Sequence, residues 1–198
     1  MTRRPWLWFI AGPNGAGKST RAMKFLSHIE EIVNPDEVAM RLSPEAPESV
    51  ALQAGRETIS RIGVLILKRR SFAIETTLSG RGYLKTVATA KAQKWNVGLV
   101  YIGLKSPELA LERVRIRHAA GGHSVPADDI ARRYQRSLAN IPAFLETVDR
   151  AIFFDNSSDQ GLQRLLEFNR GKITFSHRKL PDWLRGAVES QMRGKRRR

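Results

Sequence analysis

Short apolar runs alternate along this chain with stretches in which apolar residues return every three or four positions. The runs at Trp6–Ala11, Glu31–Asn34, Ser71–Thr76, Asn96–Gly103 and Ala151–Asp155 predict five strands. Between the second and third, Ala51, Ala54, Thr58, Ile62, Leu65 and Ile66 recur at helical spacing, which predicts a long helix over about Glu48–Arg69. Another helix, over about Tyr83–Lys94, leads into the fourth strand. Strands and helices alternating in this way build an α/β fold, a parallel sheet of about five strands with helices on both faces.

Beyond the fourth strand, Ser106-Pro107-Glu108 marks a helix start. The serine can cap the first amides, the proline needs no amide partner at the first position, and the glutamate suits the positive end of the helix dipole. Val125-Pro126-Ala127-Asp128-Asp129 marks a second start, with a flexible turn, Ala119-Ala120-Gly121-Gly122-His123, between them. The result is an arginine-rich helical hairpin over about residues 106–140. After Asp155 the pattern predicts a helix near Gly161–Phe168, a strand at Lys172–Phe175 and a terminal helix from Pro181.

No repeat or linker divides the chain, so residues 1–192 read as one domain followed by a basic, disordered tail at 193–198. A length of 198 residues suffices for one sizeable core. The absence of cysteine excludes disulfides and thiolate metal sites. No run reaches the roughly 18 apolar residues of a membrane span, and the basic start leads into a run too short for a signal sequence. A cytoplasmic location without membrane contact is expected. The formal charge is +15, and five of the last six residues are basic. Such a run suits either a solvated tail or a contact with nucleic acid or an acidic partner. The tail holds no aromatic residue to stack on bases, so the solvated reading is preferred.

Gly12-Pro13-Asn14-Gly15-Ala16-Gly17-Lys18-Ser19 fits G-x-x-x-x-G-K-[ST] without a gap, directly after the first strand and at the opening of an amphipathic helix. Its glycines let successive main-chain amides turn toward phosphate oxygens, and the helix adds the positive end of its dipole. These residues and Thr20 are expected to hold ATP, with Lys18 spanning the β- and γ-phosphates and the Ser19 hydroxyl a ligand of Mg²⁺.

Asp36 stands just past the second strand, at the carboxyl edge where open α/β sheets bind ligands. It is either the carboxylate that orients an acceptor hydroxyl or a cap on the helix through Met40, and one residue can do both. Glu75 ends an otherwise apolar strand, a costly place for charge unless it meets a ligand, a metal shell or a cation. The alternative is an acid facing solvent. Thr76 and Thr77 extend this polar edge toward a substrate. The hairpin offers Arg113, Arg115, Arg117, His118, His123, Arg132, Arg133 and Arg136, with Arg113 and Arg117 on one helical face. Lid arginines stabilise a transferring phosphoryl group, but one transition state needs few of them. Most are expected to be solvated or paired with Glu108, Glu112, Asp128 and Asp129.

The loop wording GPNGAGKST is shared with transporter-type ATPases, and Leu78-Ser79-Gly80-Arg81-Gly82 imitates their signature. No apolar strand ending in Asp-Glu follows it, so that class is rejected. No Asn-Lys-x-Asp motif is present to read guanine, which argues against a GTPase. A module that uses ATP only as a switch has no need of the Asp36–Glu75 pair.

The segments AGPNGAGKST, NPDEVA, AIETTLSG, VYIGLKSPELALERV, GGHSVP with RRYQRSL, and FFDNS run from about Trp6 to Ser157 and together resemble the zeta toxin family of P-loop kinases. The resemblance implies a P-loop NTPase fold with a helical lid, and an ATP-dependent phosphotransferase acting on an alcohol group. It further implies a UDP-N-acetylsugar as acceptor, a toxin role and restraint by an antitoxin. By position, Asp36 matches the family's catalytic aspartate, and Glu75 its substrate-side glutamate. Lys18 and Ser19 match its phosphate and magnesium contacts, and Arg113 or Arg117 a lid arginine. His123 stands where a second lid arginine is expected; either Arg132 or Arg133 substitutes for it in binding substrate, or the transferred group is held differently. That departure places the chain in a shorter, predicted-kinase branch. The alternative acceptor there is another small alcohol or a nucleic-acid end, without a toxin role.

Overall fold

The computed structural model describes residues 4–21, 29, 31–122 and 125–193. The five expected strands form as β1 (Trp6–Ala11), β2 (Ile32–Val33), β3 (Phe72–Thr76), β4 (Asn96–Gly103) and β5 (Arg150–Asp155). They lie parallel in the order β2-β3-β1-β4-β5, so the carboxyl ends of β2, β3 and β1 are neighbours along one edge.

The segment Gly161–Phe168, expected as a helix, instead carries a strand, β6 (Gln163–Asn169), antiparallel to β5. β7 (Lys172–Ser176) pairs antiparallel beyond it, and the sheet has seven strands. The physical reason is a bulge. The pairing shifts between Phe153 and Phe154, so that Leu166 faces Phe153, Arg164 faces Phe154, and Leu165 is the extra residue. Leu165, Leu166 and Phe168 all enter one core, a spacing that imitates a helix face in sequence. Phe168 meets Phe153 edge-on at 6.2 Å, and the Arg150 guanidinium donates to Glu167 Oε1 at 2.7 and 2.9 Å.

The helices are α1 (Lys18–Arg21 among the described residues), α2 (Pro35–Leu42), α3 (Ala51–Leu67), α4 (Tyr83–Ala92), α5 (Pro107–Ala119), α6 (Ala127–Leu145) and α7 (Asp182–Arg193). A short 3-10 turn over Pro47–Val50 precedes α3, which buries Ala54, Thr58, Ile62, Leu65 and Ile66 and leaves Ala51 exposed. Ser106 caps α5 as its sequence requires, its Oγ accepting from Leu109 N at 3.3 Å with Pro107 at the first position. No helix among the described residues is long and apolar enough to cross a membrane. Arg193, expected as the first residue of the tail, ends α7, and residues 194–198 and His123 lie outside the described residues.

β1 shows why the central strands read as continuous apolar runs. Leu7, Phe9 and Ala11 enter one core, shared with α3, α4, α7 and the end of α6, while Trp8 and Ile10 enter the other, under α5 and the start of α6. A strand covered on both faces has no polar side to alternate with.

Candidate active site

The loop from Gly12 to Gly17 joins β1 to α1, and at Gly12 and Gly15 it lies so close to its neighbours that a side chain would clash. Gly12 has φ +143°, and a Cβ there would stand 2.1 Å from Ile102 O. Lys18, only 9% exposed, donates from Nζ to Gly12 O and Pro13 O, each at 3.0 Å. Burial lowers the Lys18 pKa, the charges of Glu75 and Asp36 act to raise it, and Arg117 lowers it further. Three charged groups from separate elements, Glu75 on β3, Asp36 on α2 and Arg117 on α5, therefore bear on one ammonium.

Glu75 lies opposite Ile10 where β3 pairs with β1, so the end of β3 reaches the loop. Ser19 Oγ donates to Glu75 Oε1 at 2.9 Å. Burial raises the Glu75 pKa, and the Lys18 charge and the Ser19 hydrogen bond oppose that rise. Half-buried and hydrogen-bonded to Ser19, Glu75 stands within reach of the Lys18 charge. Thr76 Oγ1 accepts from Leu78 N at 3.0 Å and Thr77 Oγ1 lies 2.9 Å from Ser79 Oγ, so both threonines brace the turn after β3. The turn is fastened to α6 by Asn140, whose Nδ2 donates to Leu78 O at 2.9 Å and whose Oδ1 accepts from Arg81 Nε at 3.0 Å.

Asp36 is the second residue of α2 and is exposed. The cap is Asn34, whose Oδ1 accepts from Asp36 N at 3.0 Å and whose Nδ2 donates to Glu37 at 3.3 Å. The capping alternative for Asp36 therefore falls to its neighbour. Asp36 acts electrostatically on Lys18, Glu75 and Tyr83. Tyr83, the first residue of α4, has its pKa pushed up to about 12, by burial first and the Asp36 charge second. The sequence pattern gave no reason to select it beyond its place after the Ser-Gly-Arg-Gly turn.

The hairpin arginines divide by contact. Arg117 bears on Lys18, whereas Arg113 Nη1 donates to Asn156 O at 2.6 Å. Arg132 and Arg133 both pair with Asp129 of their own helix, at 2.7 and 3.6 Å. His118 Nδ1 lies 2.9 Å from Gly122 O and closes the end of α5. Asn156, one residue past the expected strand, donates from Nδ2 to Ala16 O inside the loop at 3.0 Å. Its signals in sequence are its place just past the carboxyl end of β5 and within the FFDNS segment.

An exposed serine hydroxyl held against a half-buried carboxylate fits a magnesium ion, which takes one or two protein oxygens and fills its shell with water and phosphate oxygens. Among the described residues no cluster of three or more metal-ligating side chains offers a different metal site.

An uncharacterized protein of Haemophilus influenzae (strain ATCC 51907 / DSM 11121 / KW20 / Rd) is 33% identical over 126 residues, 64% of this chain and 90% of that one. Among solved structures, the AvrRxo1-ORF1:-ORF2 complex with ATP matches at TM-score 0.67 and 17% identity over 86% of this chain, which spans 60% of that longer chain. The PezAT chromosomal toxin–antitoxin system of Streptococcus pneumoniae matches at TM-score 0.66 and 18% identity, over 97% of this chain and 86% of that one. At these identities the structural likeness shows a shared fold. The zeta toxin family model matches residues 1–163, through the phosphate loop, the helical hairpin and β5, and the chain belongs to the zeta toxin family.

Proposed function

We propose that this protein is an ATP-dependent kinase that moves the γ-phosphoryl group to a hydroxyl of a UDP-N-acetylsugar in the cytoplasm and so acts as a zeta-type toxin. The observation that carries the kinase reading is the convergence of Lys18, Ser19, Glu75 and Asp36 at the carboxyl ends of three adjacent parallel strands. Family membership supports the toxin role and an antitoxin partner. The UDP-sugar rests on the resemblance of the sequence segments.

In this reading the amides of Gly12, Pro13 excepted, through Thr20 face the nucleotide, and Lys18 exchanges the carbonyls of Gly12 and Pro13 for phosphate oxygens. Mg²⁺, when bound, offsets phosphate charge as a Lewis acid, with Ser19 as its protein ligand and Glu75 beside it. Asp36 orients the acceptor hydroxyl. The acceptor oxygen bonds to the γ-phosphorus as the bond to the β,γ-bridging oxygen breaks, ADP leaves with that electron pair, and the acceptor's proton passes to Asp36 and then to water. Lys18 and Arg117 meet the charge on the transferring group. Thr76, Thr77, His123, Arg132 and Arg133 stand as acceptor-side candidates, with the α5–α6 hairpin closing as a lid over one domain.

The test is incubation with ATP, Mg²⁺ and UDP-N-acetylglucosamine, which should yield ADP and a product heavier by about 80 Da, one phosphoryl group. A 5′-hydroxyl oligonucleotide run in parallel covers the second acceptor class, which the +15 charge favours. Phosphorylation of the oligonucleotide alone would replace the sugar acceptor. No heat of MgATP binding and no ADP with either acceptor would overturn the kinase reading.

A further inference from the structure

We infer that Asn156 is a positioning residue for the phosphate loop and that it ties the loop to the first half of α5, making Arg113 part of the fixed floor of the nucleotide site. The inference rests on the kinase reading above and divides the labour between two arginines that share a helical face. Arg113 braces the site, and Arg117, one turn on, meets the phosphates.

Asn156 is 5% exposed and spends its polar groups on three elements. Its main-chain N donates to Gly103 O at the end of β4 at 3.0 Å. Its main-chain O accepts from Arg113 Nη1 at 2.6 Å. Its Nδ2 donates to Ala16 O at 3.0 Å, a residue 140 positions earlier. The turn is itself held: Asp155 Oδ1 accepts from Ser157 N at 2.7 Å, and Ser157 Oγ accepts from Lys105 N at 2.7 Å. Gly17 leaves the room, since a Cβ there would stand 3.0 Å from Asn156 Nδ2, and its φ of +78° is one that L side chains rarely adopt.

The geometry has a consequence for the anion site. A peptide unit is planar and trans, so the N–H of Gly17 points opposite to the carbonyl of Ala16. With that carbonyl drawn toward the end of β5, the Gly17 amide is turned away from β5, and no carbonyl dipole from this peptide opposes a phosphate. Without the Asn156 donor, the peptide can rotate and present oxygen where nitrogen is needed. On the other side, Arg113 Cβ lies against Gly15, where an added Cβ would be 3.2 Å away. The loop is thus held between Asn156 and the first turns of α5, and motion of the hairpin relative to the loop must begin beyond Arg113.

Two variants separate this role from general destabilisation. Asn156→Ala removes the donor at every pH. Asn156→Asp keeps the shape but donates only when its carboxyl is protonated. Calorimetry should find MgATP binding weakened roughly tenfold or more in both at neutral pH, the order expected for a buried acceptor left without its donor. As pH falls, Asn156→Asp should regain affinity relative to Asn156→Ala. Combining Asn156→Ala with Arg113→Ala should cost less than the two single losses together, because both loosen the same brace. Affinities within twofold of the unaltered protein, identical pH profiles for the two variants, or full additivity would each overturn the assignment while MgATP binding by the unaltered protein leaves the kinase reading standing. Absence of MgATP binding by the unaltered protein would remove both.

Discussion

Ser19 Oγ and Glu75 Oε1 lie 2.9 Å apart, a hydrogen bond across 56 positions of sequence that joins the first turn of α1 to the last residues of β3. The hydroxyl donates, so the carboxylate is held as an acceptor beside the Lys18 ammonium. Burial nevertheless dominates, and the Glu75 pKa is raised.

A pH dependence follows with a definite sign. Folded Glu75 takes up its proton at a higher pH than the usual carboxyl value of about 4.3. Magnesium-dependent nucleotide affinity should therefore begin to fall above that value on acidification. In Glu75→Gln this acid limb should be absent and affinity low throughout, as checked by titrating MgATP across pH. For stability, a raised carboxyl pKa gives a contribution fully present below the unfolded-state pKa and lost as pH rises through the folded one. The melting point of the unaltered protein relative to Glu75→Gln should accordingly decline from acid toward neutral pH.

Lys18→Ala should abolish phosphoryl transfer, with a loss on the order of a hundredfold or more, because a buried, pre-aligned cation is removed from the developing phosphate charge. Single-turnover assays measure it. Expression of the unaltered protein should arrest growth and that of Lys18→Ala should not; equal tolerance of the two counts against the toxin role.

Asp36→Asn should lower kcat by roughly 10²–10⁴-fold while changing MgATP affinity far less. The helix start should survive, since Asn34 supplies the cap. A loss confined to ATP affinity would move Asp36 out of the acceptor side of the site.

Asn140→Ala should destabilise the fold by about 1–3 kcal/mol, because it leaves the carbonyl of Leu78 without its donor in a buried position. Denaturant unfolding gives the value. The turn follows Thr76 and carries Thr77, so substrate KM should rise as well; an unchanged KM would detach that turn from acceptor binding.

Much of this could be read from the chain. The central strands were legible because a doubly covered strand is apolar along its whole length, and Ser106-Pro107 announced α5 through capping chemistry that needs only neighbouring residues. β6 was not legible, because its bulge at Leu165 replaces the alternation of a strand with the spacing of a helix. Asp36 stood out in the sequence with two readings, and the cap is supplied by Asn34, two residues earlier.

The phosphate loop was recognisable in the sequence alone, since its amides, its glycines and Lys18 are consecutive and glycine supplies the backbone freedom the turn needs. Tertiary structure alone decided what surrounds it. Glu75 reaches Ser19 because β3 is the neighbour of β1, Asn156 reaches Ala16 from the far end of the chain, and Arg113 and Arg117 receive different partners on one face of α5. Contacts of this kind depend on the order of strands in the sheet, which the packing of both faces selects and which no local run of residues encodes.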